Sequence, residues 1–256
     1  MSLLRLLFGF SVLVLSGIGI TYLQQDRIQK LTGEIEPNYQ QQVQSEQLGL
    51  ELQSKMPRFG FENLWADWNY LQFIQYFGDT PARNKTGYFL IPKYFQQVVK
   101  DDPRFIRGML VFSTANTIYA VSPKTTVKLL NEVVAEITPE FDPLTPYIWS
   151  YKGVDEMLFL GDIKAAQHSY EMAAEWALKT NDPHKEALAQ RNRETAGFLA
   201  KNPDSKKARV AAWMSILQGG LNEETQKLAI REILSLGGKV SFTPEGLLKV
   251  EFPEED

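Results

Sequence analysis

The chain has 256 residues, 44% of them hydrophobic and 23% charged, enough apolar material for the core of one ordinary domain and too much for a disordered or fibrous polymer. The absence of cysteine excludes disulfides, thiolate metal sites, iron–sulfur clusters and a cysteine nucleophile. A formal net charge of -4 argues against nucleic acid as the main partner, because phosphate neutralisation needs a cationic surface.

From Leu6 to Leu23 there is no charge, and as a helix this run reaches roughly 27 Å, close to the hydrocarbon thickness of a bilayer. Arg5 precedes it, Gln24, Gln25 and Asp26 follow, and no Ala-x-Ala cleavage site is present, so residues 1–23 are expected to form an uncleaved transmembrane signal anchor. Arg5 on one side nearly balances Arg27 and Lys30 on the other. The short leading tail makes a cytoplasmic amino terminus, with the bulk of the protein on the opposite side, the simpler topology. Residues 24–57 are polar and glutamine-rich and are expected to form a stalk.

Between Phe59 and Phe77 eight aromatics fall in 19 positions, against 12% for the whole chain. Phe61, Trp65, Trp68 and Tyr76 lie on one helical face and Tyr70, Phe73 and Phe77 opposite, so apolar groups cover most of the circumference. Such a helix is buried in the domain, or it presents Phe61, Trp65, Trp68 and Tyr76 to a membrane surface or a membrane partner. Amphipathic runs of about one helix each then end at Asp102-Pro103, Ser122-Pro123 and Thr138-Pro139. Ser122, Thr145 and Asp182, each followed by proline, read as helix N-caps, and the alternation predicts helical hairpins. A shift of 36 positions superposes Pro103 on Pro139, Phe105 on Phe141 and Val98 on Val134, a degenerate internal repeat.

The stretch from Gly161 to Ala173 resembles the second half of a tetratricopeptide repeat, with Gly161 at the turn and Ala166, Tyr170 and Ala173 at the small, aromatic and small positions. Trp149 and Gly153 have the spacing of the large and small pair of the preceding helix, one residue out of register with Gly161. One fairly clear repeat covers about 147–178, with weaker copies over about 80–236. The order of parts, an amino-terminal span, a Trp-rich helix ending in Tyr76-Phe77-Gly78-Asp79, then hairpins, resembles bacterial membrane-anchored tetratricopeptide-like proteins. The resemblance implies an all-α fold, a transmembrane helix followed by a solenoid of hairpins over 58–236, and a protein-binding scaffold rather than an enzyme.

Further on, Val210, Trp213, Met214 and Leu217 form one apolar stripe, and Asn222 is a cap for a second helix carrying Leu228, Ile230, Ile233 and Leu234. Val240 and Phe242, then Leu248, Val250 and Phe252, alternate about Pro244-Glu245-Gly246, so residues 237–256 are expected to form a short β-hairpin or a tail.

The sequence contains no phosphate loop, nucleophile elbow, zincin helix or EF-hand loop. Glu62 and Asp67 are separated by roughly 140° around their helix and cannot act as a pair, although Asp67 alone is a candidate general base. His168 and His184 lack the neighbours of a metal site, and Asp155, Glu156 and Asp162 read as solvated helix ends. Six basic residues between Arg191 and Arg209 read as a solvated surface. No catalytic residue, metal or cofactor is therefore assigned. In stacked hairpins the first helix of each pair lines the concave face, and with Gly161 as register the partner-binding groove comprises Ile148, Tyr151, Asp155, Leu158 and Phe159. Aromatic anchors with one carboxylate suit an apolar peptide bearing a basic residue. The expected function is a membrane-anchored scaffold for assembling or organising a membrane protein complex. The rival from another class is an envelope enzyme or transport component with the 59–77 helix as a substrate wall.

Overall fold

A computed structural model describes residues 3–31, 37–201, 203, 205–219, 223–242 and 248–254. The chain divides into two units, Met1–Val43 and Gln44–Asp256. In the first, α1 runs over Leu3–Leu31, well past the uncharged run, and its Phe8–Gln25 portion is long and apolar enough to cross a membrane. Every large apolar side chain described along that portion is exposed, which leaves hydrocarbon as a suitable surrounding.

The second unit is all-α apart from one small hairpin. It contains most of α2 (Tyr39–Lys55), then α3 (Glu62–Gly78), α4 (Thr80–Thr86), α5 (Ile91–Asp101), α6 (Ile106–Ile118), α7 (Pro123–Glu136) and α8 (Thr145–Val154). A π-helical segment, Asp155–Leu160, prolongs α8 and leads to α9 (Ile163–Lys179), α10 (Lys185–Leu199), α11 (Lys206–Gln218) and α12 (Glu223–Ser235). Strands β1 (Lys239–Phe242) and β2 (Leu248–Glu251) pair antiparallel, with Lys239 opposite Glu251 and Phe242 opposite Leu248. The Asn222 cap and the Pro244-Glu245-Gly246 turn lie outside the described residues.

Prolines set several helix starts. Pro81, Pro92, Pro123 and Pro146 occupy the first turn of α4, α5, α7 and α8, where a missing N–H costs nothing. Ser122 precedes α7 as expected. Thr145 is instead the first residue of α8, its hydroxyl donating to the carbonyls of Pro139 and Asp142 at 2.9 Å. Asp182 accepts the backbone N–H of His184 at 2.6 Å, and His184 is the N-cap of α10.

Helices pack in pairs, α3 with α5, α6 with α7, α8 with α9 and α11 with α12, while α10 lies on α9 and α6 lies beside α8. Aromatic density in the sequence becomes the first core. Phe73 lies 4.2 Å from Phe112 between ring centroids, and Phe95 stacks on Phe112 at 5.2 Å. Such pairs are each worth about 0.5–1.5 kcal/mol beyond their burial.

The segment expected to be a stalk is integrated with the domain from Glu46 onward. Arg58 makes a bidentate pair with Asp101 at 2.8 and 2.9 Å, Lys93 reaches Glu51 at 2.7 Å, and the Tyr94 hydroxyl donates to Glu46. Burial pushes the Glu46 carboxyl above the ordinary carboxylate range, against the lowering effect of the Tyr94 bond, and burial raises the Tyr94 hydroxyl as well. Each of these contacts joins residues more than 40 positions apart, so composition alone reads the segment as a spacer.

The α8–α9 pair shows why small residues recur. Ala166 and Ala173 are fully buried, and a Cβ added at Gly153 would stand 3.0 Å from the Tyr170 ring. Trp149 packs edge-on against Trp176 at 5.7 Å between ring centroids. Gly161, with φ +70, closes the turn, and Asp162 accepts the N–H of Ala165 at 3.0 Å to cap α9. The π-helical segment Asp155–Leu160 occupies most of the stretch between Gly153 and Gly161.

Candidate functional site

The π segment presents two consecutive acids to different surroundings. Glu156 turns into the α8–α9 interior, where Lys152 Nζ lies 2.6 Å from Oε1 and the Ser169 hydroxyl donates to Oε2 at 2.6 Å. Lys152 also donates to Ser169 at 2.9 Å and stands 5.2 Å over the Trp149 ring. All three polar side chains are buried, and their charges and hydrogen bonds are matched within the hairpin.

Asp155 turns the other way, toward α6. The Thr117 hydroxyl donates to its Oδ2 at 2.7 Å, and Thr117 lies 2.9 Å from Thr126, which accepts from Asn116 at 2.9 Å. Among the described residues no cation pairs with Asp155. Burial is the main cause that pushes its carboxyl up to about 7; the Thr117 bond lowers it and the neighbouring Glu156 charge raises it.

Asp155 is 5% exposed and lines a cleft of about 210 Å³ together with Ser113, Thr114, Thr117, Tyr151 and Val154. A second cleft of about 380 Å³, walled by Phe77, Leu110, Val111 and Tyr119, shares Thr114 and Tyr151 with the first. The two form one trough along the neighbouring helices α6 and α8, apolar along most of its length with a carboxylate at one end. Tyr151, 38% exposed, stands where the two clefts meet.

The five groove positions read from the sequence have different fates. Tyr151, Asp155 and Phe159 line the smaller cleft. Ile148 is fully buried and offers nothing to a partner, which removes it from the groove. Leu158 packs on the core formed by α11 and α12, and Phe159, 7% exposed, meets the Trp213 ring edge-on at 5.3 Å. The α11–α12 pair of the same chain therefore covers Leu158 and most of Phe159, a contact across some 50 positions that helical periodicity does not encode.

The aromatic helix is also divided. Phe61 and Trp68 are exposed, Trp65 is half-buried beneath the Arg58 guanidinium at 5.0 Å, and Tyr76 is buried. The Tyr76 hydroxyl donates to Gly87 O at 3.1 Å and accepts from Leu90 N at 3.3 Å, with Arg83 3.6 Å over its ring. This corrects the expectation of a surface Tyr76. The four residues span an arc of roughly 80°, and the boundary between buried and exposed faces runs through it.

Glu62 and Asp67 are exposed on α3. His168 and His184 are exposed, and Glu171 is held by Gln167 at 2.8 Å. Among the described residues no group of three or more His, Asp or Glu is placed to hold a metal ion. Arg191, Arg193 and Lys201 are exposed, while Lys206, Lys207 and Arg209 are half-buried. Reading the sequence missed Thr117, Lys152 and Ser169. The polar run Ser113, Thr114, Asn116 and Thr117 inside an otherwise apolar helix is the signal that marks α6 as a trough wall.

No protein-family model matches the chain, and no curated protein is detectably similar to it.

Proposed function

We propose that this is a single-pass membrane protein whose tetratricopeptide-like helical domain binds other proteins, in the service of assembling or organising a membrane complex. The observation that carries the reading is the trough between α6 and α8, apolar along most of its length and ending at a carboxylate that accepts from Thr117 and pairs with no cation among the described residues. A trough of this kind suits an apolar segment with a basic side chain or another hydrogen-bond donor, which Asp155 receives. Supporting it are the serial helix pairs, the small residues Gly153, Ala166 and Ala173 at close approaches, and the aromatic Tyr170 between them. The amino terminus is assigned to the cytoplasm and the helical domain to the opposite side of the membrane, which protease accessibility in oriented vesicles tests.

The binding experiment places a photo-crosslinking amino acid at Tyr151 in the full chain and identifies adducts in native membranes. Membrane-complex subunits are expected, and Val111→Asp in the larger cleft is expected to abolish the adducts while the thermal melt stays unchanged. Undiminished adducts in a folded Val111→Asp chain remove the trough as the binding surface. Phe159→Ala is unsuitable as a test, because that ring supports the α11–α12 pair.

A further inference from the structure

The outward side of α3 and the turn before it are more apolar than packing requires. Around α3 the inward arc holds Ala66, Asn69, Phe73 and Tyr76, while the outward arc carries Leu64, Trp68, Leu71 and Ile74, all exposed. Only one charge, Asp67, interrupts that outward arc. On α2, Leu48 and Leu52 are also exposed, four positions apart, as is Met56 just past the helix end. Between the helices Phe59 adopts φ 54, with Gly60 following at φ 83. A left-handed conformation is costly for an aromatic residue, on the order of 1 kcal/mol, and here it holds a ring that is 82% exposed. The strain therefore does not serve to bury the Phe59 ring within the described part of the chain.

We infer that this face, with Phe59 at its tip and Trp68 on its flank, lies in the headgroup and upper acyl region of the bilayer that α1 crosses. The inference rests on the reading of α1 as a span. Leu48 follows Leu31, the end of α1, closely enough that even a fully extended connection reaches no more than about 60 Å, which keeps the bilayer within reach of the face. Tethering of that kind turns a modest affinity into stable contact. The composition fits the boundary: an indole and phenyl rings, leucines, an exposed Asn63 and Gln75 at the margins, and no cationic cluster, so the contact needs no anionic lipid. Exposed apolar surface of this extent, left uncovered among the described residues, is the usual mark of such a site.

The test uses the full chain, which contains no cysteine and so accepts single labels without background. Leu13→Cys in α1, Leu64→Cys and Leu71→Cys on the face and Gln190→Cys on α10 are each spin-labelled in phosphatidylcholine nanodiscs, and collision with dissolved oxygen is compared with collision with a water-soluble nickel chelate. The expected result is that labels at 13, 64 and 71 favour oxygen over nickel several-fold, while the label at 190 favours nickel. A nickel-accessible label at 64 and 71, with 13 protected, overturns the docking and leaves the span intact. A nickel-accessible label at 13 overturns the span reading, and the docking inference with it. Protection at 64 and 71 accompanied by spin–spin broadening between copies assigns the face to a second copy of the chain and overturns the lipid assignment.

Discussion

The interior of the α8–α9 hairpin and the trough between α6 and α8 each receive an acid from adjacent chain positions and treat it in opposite ways. In the hairpin, Glu156 has an ammonium and a hydroxyl at 2.6 Å. In the trough, Asp155 accepts from the Thr117 hydroxyl at 2.7 Å, pairs with no cation among the described residues and has open volume beside it. A buried carboxylate with a matched cation is a structural fixture; one without keeps its proton near neutrality and is free to accept a donor from outside. Proximity in sequence says nothing about this difference, which is made by which helix each side chain meets.

Four substitutions separate the two environments. The largest effect is expected from Glu156→Gln, which leaves the Lys152 ammonium buried without its counter-charge and costs about 3–5 kcal/mol, read as a lower urea midpoint. Replacing Lys152 and Glu156 together by Met and Leu is expected to recover most of that loss, and no recovery would mean that packing rather than charge fixes the hairpin.

Asp155→Asn goes the other way. The folded chain holds the Asp155 proton to about 7, whereas an ordinary aspartate releases it near 3.8, so the fold loses stability as pH rises between those values and the penalty is complete above the higher one. Asn keeps the bond from Thr117 without ever ionising. The variant is therefore expected to be more stable than the parent at pH 8, by on the order of 2–4 kcal/mol, and equal to it below about pH 4. A parent whose stability rises from pH 4 to 7 more than that of the variant would show that Asp155 ionises readily in the fold.

Gly153→Ala tests the close approach behind both acids. Its methyl would meet Tyr170 at 3.0 and 3.1 Å and Ser169 at 3.3 Å, and overpacking outweighs the gain in helix propensity, for a net cost of about 1 kcal/mol in thermal unfolding. A stabilised variant would mean that Tyr170 retreats freely. Tyr151→Ala is expected to change stability least, by less than about 0.5 kcal/mol, because the side chain is an exposed trough wall. Its signature is loss of partner capture, measured by co-purification from solubilised membranes; capture at the parental level from the folded variant would exclude Tyr151 from the binding surface.

Much of the architecture was legible because local rules suffice for it. Apolar spacing at 3.6 residues, prolines at helix starts and Gly161 at φ +70 mark most of the helices and their turns. The candidate site was legible in part. Tyr151 and Asp155, four positions apart, line one cleft as periodicity implies, whereas Ile148, on the same stripe, proves fully buried. Leu158 and Phe159 could not be placed, since α11 and α12 cover them from more than 50 positions away.

By itself, the sequence determined that this chain is helical, that its first helix can cross a membrane, and where small residues let helices approach, because each follows from hydropathy, period or side-chain size along one stretch. Only the tertiary structure decided that the glutamine-rich segment joins the domain through Glu46 and Glu51, that Tyr76 turns inward while Trp68 stays out, and that Asp155 and Glu156 part company. Those outcomes depend on which distant surface arrives opposite a residue, and burial and ionisation are set by that encounter rather than by neighbours in the chain.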